Sequence, residues 1–148
     1  MSAGLLDVNV LIALTWPSHV HHAQAHDWFA RHAREGWATC PLTQLGFVRI
    51  SSNPRITAEA VSPRQALEAL GQLVAHEHHV FWPDVIPLDD ESFPSALLMG
   101  HRQLTDAYLL ALAIHKRGKL VTLDKSVGAL LPAQDPRQRS IELIRARA

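Results

Sequence analysis

The sequence predicts an α/β fold, with helices packed on a mostly parallel central sheet of about five strands. Short apolar runs recur at residues 4–7, 37–40, 79–82, 119–124 and near 141–144. They alternate with segments of helical periodicity, clearest in "SPRQALEALGQLVAHE" at 62–77, where residues 66, 67, 70, 73 and 74 are apolar. Two of the apolar runs end at a lone carboxylate, Asp7 and Asp124. In open α/β sheets ligand sites lie outside the carboxyl ends of the strands.

The elements follow in order. "GLLD" reads as a short buried strand, and 8–14 as the turn into a helix. "SHVHHAQAHDWFARHAREG" predicts a helix from about Ser18 to Glu35, with Ser18 at its N-cap and Gly36 as its stop. "WATC" is a strand ended by Pro41, and 43–51 a short helix that stops before Asn53–Pro54. In the helix at 62–77, Ser62 caps and Pro63 occupies the first turn. "HVFW" is a strand. Residues 88–101 are expected to be helical despite Pro94, and 105–118 strongly so, with Thr105 at the cap position. "KLVTLD" is a strand that reaches Asp124.

A chain of 148 residues suits one domain, 1–148, with no internal repeat or linker. No apolar run is long enough to cross a bilayer, and no positive segment precedes the first apolar run as in a signal peptide. The single cysteine, Cys40, leaves no disulfide framework and reads as a buried, inert thiol. These features favour the cytoplasm. Formal net charge is zero, so a nucleic-acid partner must be met by local patches. Candidates are Arg49 with Arg55, His101–Arg102, "HKRGK" at 115–119, and the arginines of the tail, Arg137, Arg139, Arg145 and Arg147.

Asp7 sits in the apolar stretch "GLLDVNVLIAL", where an unpaired charge is costly to bury. Asp106 follows Thr105 at a helix start, and Asp124 ends a strand. Alone, each reads as a capping or turn residue. Gathered at one sheet edge they repel one another, and a hard divalent cation resolves that repulsion. Mg²⁺ takes oxygen ligands, commonly one or two carboxylates plus waters. Such an ion activates water and stabilises charge on a phosphoryl oxygen.

Four segments carry a resemblance: "LLDVNVLIAL" (5–14), "CPLTQLGFVRISSNP" (40–54), "LTDAYLLALA" (104–113) and "LVTLDKSVGALLP" (120–132). In order and spacing the chain resembles the PIN-domain family, particularly its VapC-type toxins. The resemblance implies a PIN-like (Rossmann-like) three-layer sandwich and an Mg²⁺- or Mn²⁺-dependent ribonuclease. It also implies a homodimer and a small cognate antitoxin of the VapB type. Carried over by position, Asp7, Asp106 and Asp124 are the catalytic, metal-holding carboxylates. Asn9, Thr105 and Thr122 orient them. Arg49 and Arg102 are candidates for phosphate contact, with a structural or antitoxin-facing role as the alternative for either. One position departs from the family pattern: Gln44 stands where a glutamate is usual. It keeps a carbonyl acceptor and loses the charge, so metal affinity should fall. That departure admits a second reading, a non-cleaving module that binds RNA or antitoxin.

Other features are set aside. His19, His22 and His26 lie at i, i+3 and i+7 and so share a helix face, but no H-E-x-x-H motif or nearby cysteine supports a zinc site. "HEHH" at 76–79 reads as a loop. Asp89, Asp90 and Glu91 read as dipole-favouring residues before a helix, and the four tryptophans as core. A nucleotide-binding fold is disfavoured, since no G-x-G-x-x-G or Walker loop follows the first strand. A dehalogenase-like phosphotransferase wants an aspartate where Asn9 stands.

Overall fold

The computed structural model describes residues 2–145, so Arg147 lies outside them. Five strands, β1 (Gly4–Leu6), β2 (Trp37–Thr39), β3 (His79–Phe81), β4 (Lys119–Thr122) and β5 (Ile141–Leu143), form one sheet. Five α-helices accompany them: α1 (Val8–Thr15), α2 (His22–His32), α3 (Pro41–Ser51), α4 (Pro63–Val74) and α5 (Leu104–His115). The strand order is β3-β2-β1-β4-β5, and every pairing is parallel. The chain winds outward from β1 through β2 to β3, then crosses back to the other side of β1. The order therefore reverses between β1 and β4, where the crossovers leave in opposite directions and a crevice opens.

The strands' period of two sorts side chains onto the two faces. Leu5, Ala38 and Leu120 point to one layer, with α5 and with Trp82, Ile86 and Val127. Leu6, Trp37 and Val121 point to the other, with Val10 of α1, Ala25 of α2, Phe47 of α3 and Leu70 of α4. The result is a three-layer sandwich. α5 is buried continuously from Ala107 to Ala113, which explains why its apolar residues show no single stripe. It ends in a Schellman arrangement: Gly118 N donates to Ala113 O and Arg117 N to Ile114 O, with Arg117 left-handed at φ 57°. Gly118 is required for close approach, since a Cβ there meets Ala3 O at 2.4 Å and the Trp82 ring at 2.7 Å.

Most elements agree with the sequence reading to within a few residues. Ser62 caps α4 with a reciprocal Gln65 contact, and the helix ends at Val74 rather than residue 77. Gly36, at φ 99°, terminates the α2 region after a 3-10 turn at Ala33–Glu35. Three expectations need correction. The second helix begins at His22, not Ser18. The chain turns at Pro17–His21, held by His19 N donating to Trp16 O and His21 N to the His19 ring. His19 therefore does not share a helix with His22 and His26. Residues 88–100 form turns instead of a helix. Pro94 lacks a donor, and Asp90 accepts from Ser92 N and Oγ in an Asx turn that competes with helix. Asp89, Asp90 and Glu91 accordingly precede no helix. Finally, Thr105 does not cap α5. A 3-10 turn at His101–Gln103 leads directly into Leu104, and no side chain caps that start.

Trp37 and Trp82 are core, whereas Trp16 and Trp28 are half-buried. Among the described residues no helix is long and apolar enough to cross a membrane.

Candidate active site

Asp7 lies one residue beyond β1, at the point where strand order reverses. The ladder continues past the strand, with Asp7 N donating to Val121 O at 2.9 Å. Asp7 also caps α1. Its Oδ1 accepts from Val8 N at 2.8 Å, and its Oδ2 accepts from Thr122 Oγ1 at 2.7 Å. The side chain thus turns inward at the junction of β1, α1 and β4, and the residue is only 6% exposed. Burial pushes its carboxyl above the usual range, the Thr122 and Val8 hydrogen bonds pull it back, and Asp124 pushes it up again.

Thr122 is the centre of the arrangement. While donating to Asp7, its oxygen accepts from Asn9 Nδ2 at 3.3 Å and from Asp124 N at 3.0 Å. Asn9 closes the loop from α1, its Oδ1 accepting from Leu123 N at 3.3 Å. A hydroxyl offers one proton and two lone pairs. All three are used, so the proton is directed at Asp7.

Asp124 follows β4 and caps a 3-10 turn at Lys125–Leu130. Its Oδ1 accepts from Ser126 N at 2.9 Å and Ser126 Oγ at 2.7 Å. Asp106, in the first turn of α5, is half-buried. Burial raises its pKa to about 6, assisted by the nearby charges of Asp7 and Asp124. The three aspartates that the sequence singled out are therefore electrostatic neighbours despite their separation along the chain.

The other sequence candidates stand in different relations to this cluster. Asn9 and Thr122 hold it through the bonds above. Thr105 is exposed on α5. Gln44 lies in the first turns of α3, on the same carboxyl edge. Its Nε2 donates to Thr39 Oγ1 at 3.0 Å, and Thr39 Oγ1 contacts His79 Nε2 at 2.7 Å. Its hydrogen bond thus runs to the end of β2 rather than to the aspartates. Arg49 and Arg102 are exposed. Sequence reading missed Ser126, Thr39 and His79. Asp-x-Ser at a strand end is a recognisable Asx-turn signal, whereas nothing local in the sequence pairs Thr39 with His79.

The donor set fits a hard divalent cation. It offers carboxylate oxygens only, under mutual repulsion, in a site where Asp7 is nearly dry. Asp7 and Asp124 each spend carboxylate lone pairs on neighbouring donors. Among the described residues no three or more His, Cys, Asp or Glu side chains are arranged to hold a metal ion directly. Both facts favour an ion taken by one or two carboxylates with water completing its shell. Histidines are no competitor. His22 Nδ1 is 2.7 Å from Ala13 O, while the His22 and His26 rings lie tilted at 51° with centroids 5.1 Å apart. Cys40 is buried, and burial raises its thiol pKa, as an inert cysteine requires.

The PIN domain family model matches residues 4–129. Ribonuclease VapC38 of Mycobacterium tuberculosis (strain ATCC 25618 / H37Rv) is 46% identical over 141 residues, spanning 95% of this chain and 97% of that protein. Ribonuclease VapC39 of the same strain is 46% identical over 125 residues, 84% of this chain and 90% of its own length. Ribonuclease VapC44 of that strain is 41% identical over 125 residues, 84% of this chain and 87% of its own. All four segments that carried the resemblance begin inside the matched region, and the relatives are matched nearly end to end. On these matches the chain belongs to the PIN-domain family, in its VapC-type branch.

Proposed function

We propose that this protein is an Mg²⁺- or Mn²⁺-dependent endoribonuclease that hydrolyses RNA phosphodiester bonds, and that it is the toxin of a type II toxin–antitoxin pair. The observation that carries this reading is a set of three interacting aspartates at the switch point of a parallel sheet, one of them buried and hydrogen-bonded in place. The relatives named ribonucleases support the substrate class and favour cleavage over a non-cleaving module. A VapB-like antitoxin, a homodimer and a cytoplasmic location belong to the same proposal.

Asp7 and Asp106 would hold the cation, with Asp124 engaging it through water or holding a second ion. When bound, the cation supplies Lewis-acid stabilisation of a phosphoryl oxygen and lowers the pKa of water. The chain's own residues fix the carboxylates beforehand. Thr122 and Val8 N orient Asp7, Ser126 orients Asp124, and the first turn of α5 presents Asp106. Purified, antitoxin-free protein should cut RNA in Mg²⁺ or Mn²⁺ and stop in chelator, leaving 5′-phosphate and 3′-hydroxyl ends. RNA bound but uncut in both metals would overturn the assignment.

The cluster also predicts a pH-dependent response to metal. The carboxyl of Asp106 titrates near 6 in the fold against an ordinary 3.8, so the folded state binds its proton more readily than the unfolded one. Its contribution to metal-free stability is full below the ordinary value and is lost as pH rises through about 6. Metal-free protein should therefore melt at higher temperature as pH drops from 7 toward 5, and Asp106→Asn should flatten that rise. Mg²⁺ acts in the opposite sense, because it binds the ionised form. At a hundredfold excess over its Kd it should add about 2.7 kcal/mol, or roughly 5 to 10 °C, at pH 7.5. The gain should shrink below about pH 6. Thermal melts with and without Mg²⁺ across this range check both trends.

Gln44→Glu should tighten Mg²⁺ binding by adding a fourth carboxylate at the same sheet edge, measured by calorimetry. A carboxylate cannot donate to Thr39, so the Thr39 hydroxyl should turn its proton toward residue 44. The His79 ring must then donate to Thr39. Burial holds the pKa of His79 below its usual value, and the substitution should raise it in an NMR titration. Unchanged Mg²⁺ affinity would place residue 44 outside the metal pocket.

A further inference from the structure

Two clefts adjoin along β5, the outer strand on the β4 side of the sheet. One, of about 340 Å³, is lined by Asp124 and Lys125 and by Glu142, Leu143 and Arg145. The other, of about 320 Å³, shares Glu142, Leu143 and Arg145 and continues to Trp28, Arg31 and His32 on α2. Together they lead from a carboxylate of the candidate active site to an aromatic pair. The His32 ring lies flat on Trp28, with centroids 4.9 Å apart and planes at 18°.

Charge is spread along this path. Lys125, Arg145 and Arg31 are exposed. Of the acids in the second cleft, Glu142 is already engaged, by the Trp28 indole N–H and by Lys119 Nζ at 3.6 Å. Asp27 is the other. Cations following one another along a groove, with flat rings at its end, are what a single-stranded nucleic acid requires: phosphates meet the cations and a base stacks on the ring. A duplex keeps its bases paired and cannot use the ring. Arg49 and Arg102 line neither cleft.

We propose that this β5 groove is the path of a single-stranded segment of the RNA substrate, with Lys125, Arg145 and Arg31 contacting successive phosphates and the Trp28–His32 pair taking an unpaired base. The inference rests on the ribonuclease reading above. Each phosphate contact contributes about 0.7 to the salt dependence of single-strand binding.

The test measures binding of a labelled oligoribonucleotide about 12 nucleotides long, by fluorescence anisotropy, to full-length protein carrying Asp7→Asn to keep the RNA intact. Adding Arg31→Ala, Lys125→Ala and Arg145→Ala together should weaken binding roughly tenfold or more near 0.15 M salt and lower the salt slope by about 2. Arg64→Ala, on the exposed face of α4 and lining neither cleft, should leave both within roughly twofold of the parent. A duplex of equal length should bind the parent more weakly than the single strand. Unchanged affinity and slope in the groove variant, or equal binding of duplex and single strand, overturns the path. Cleavage by the Asp7-bearing proteins separates the two readings. If wild type cuts RNA and the groove variant cuts equally well, the groove fails and the ribonuclease stands. If wild type cuts nothing while the groove variant binds RNA more weakly, the nuclease reading fails and the groove stands as a binding surface.

Discussion

Asp7→Asn should abolish RNA cleavage, lowering the rate by roughly a thousandfold or more, while the protein melts within a few degrees of wild type. The loss of activity follows from removing a charge at the one carboxylate that is both buried and locked by two hydrogen bonds. The small stability change follows from opposed effects. An amide cannot satisfy both partners: either its oxygen meets Val8 N and its NH₂ faces the Thr122 proton, or the reverse. The Thr122 oxygen already accepts from Asn9 and Asp124, so its hydroxyl cannot turn to accept a third donor. One hydrogen bond is lost, at about 1 kcal/mol. Against this, a buried charge and its repulsion with Asp106 and Asp124 disappear. Cleavage assays and thermal melts on the same preparation read both effects. Wild-type cleavage by this variant would remove Asp7 from the chemistry, and a collapsed melt would reassign it to structure.

The alternation of strands and helices was legible because burial imposes two different periods on the chain, and both survive in the letters. Asp7 and Asp124 were legible for a related reason: each interrupts an apolar run where the backbone leaves the sheet. Their meeting with Asp106 was legible only through the order and spacing of the four PIN-like segments. It depends on the reversal of strand order, which brings β4 beside β1 instead of beside β3, and no local pattern encodes that. The failures were local competitions. At 88–101 a helix was expected despite Pro94, but that proline lacks a donor and the Asp90–Ser92 turn gives the backbone other hydrogen bonds. At Ser18 a good capping residue stood before a turn, with His19 and His21 satisfying each other's polar atoms. For Gln44 the residue type could be weighed from sequence, whereas its partner Thr39, and through it His79, belong to tertiary structure.

Thr122→Val should cost more stability than any change to the aspartates, although it removes no charge and keeps the shape. Thr122 is fully buried. Valine leaves Asp7 Oδ2 without its donor and Asp124 N without its acceptor, and it frees one proton of the Asn9 amide. Leaving a buried polar group unpaired costs about 1 to 3 kcal/mol, so a total near 3 kcal/mol, or roughly 6 to 12 °C in Tm, is expected. The functional effect has a defined sign. The Thr122 hydrogen bond lowers the Asp7 pKa against the upward push of burial. Without it Asp7 holds its proton to higher pH, so the acidic limb of the cleavage profile should move upward and Mg²⁺ affinity at neutral pH should drop. Thr122→Ser restores the hydroxyl and loses only a methyl, so it should recover the pH profile while keeping a small stability deficit. A merely structural hydroxyl would give valine and serine variants with the same pH profile as wild type. An upward shift in valine that serine reverses would assign Thr122 to holding the ionised form of Asp7.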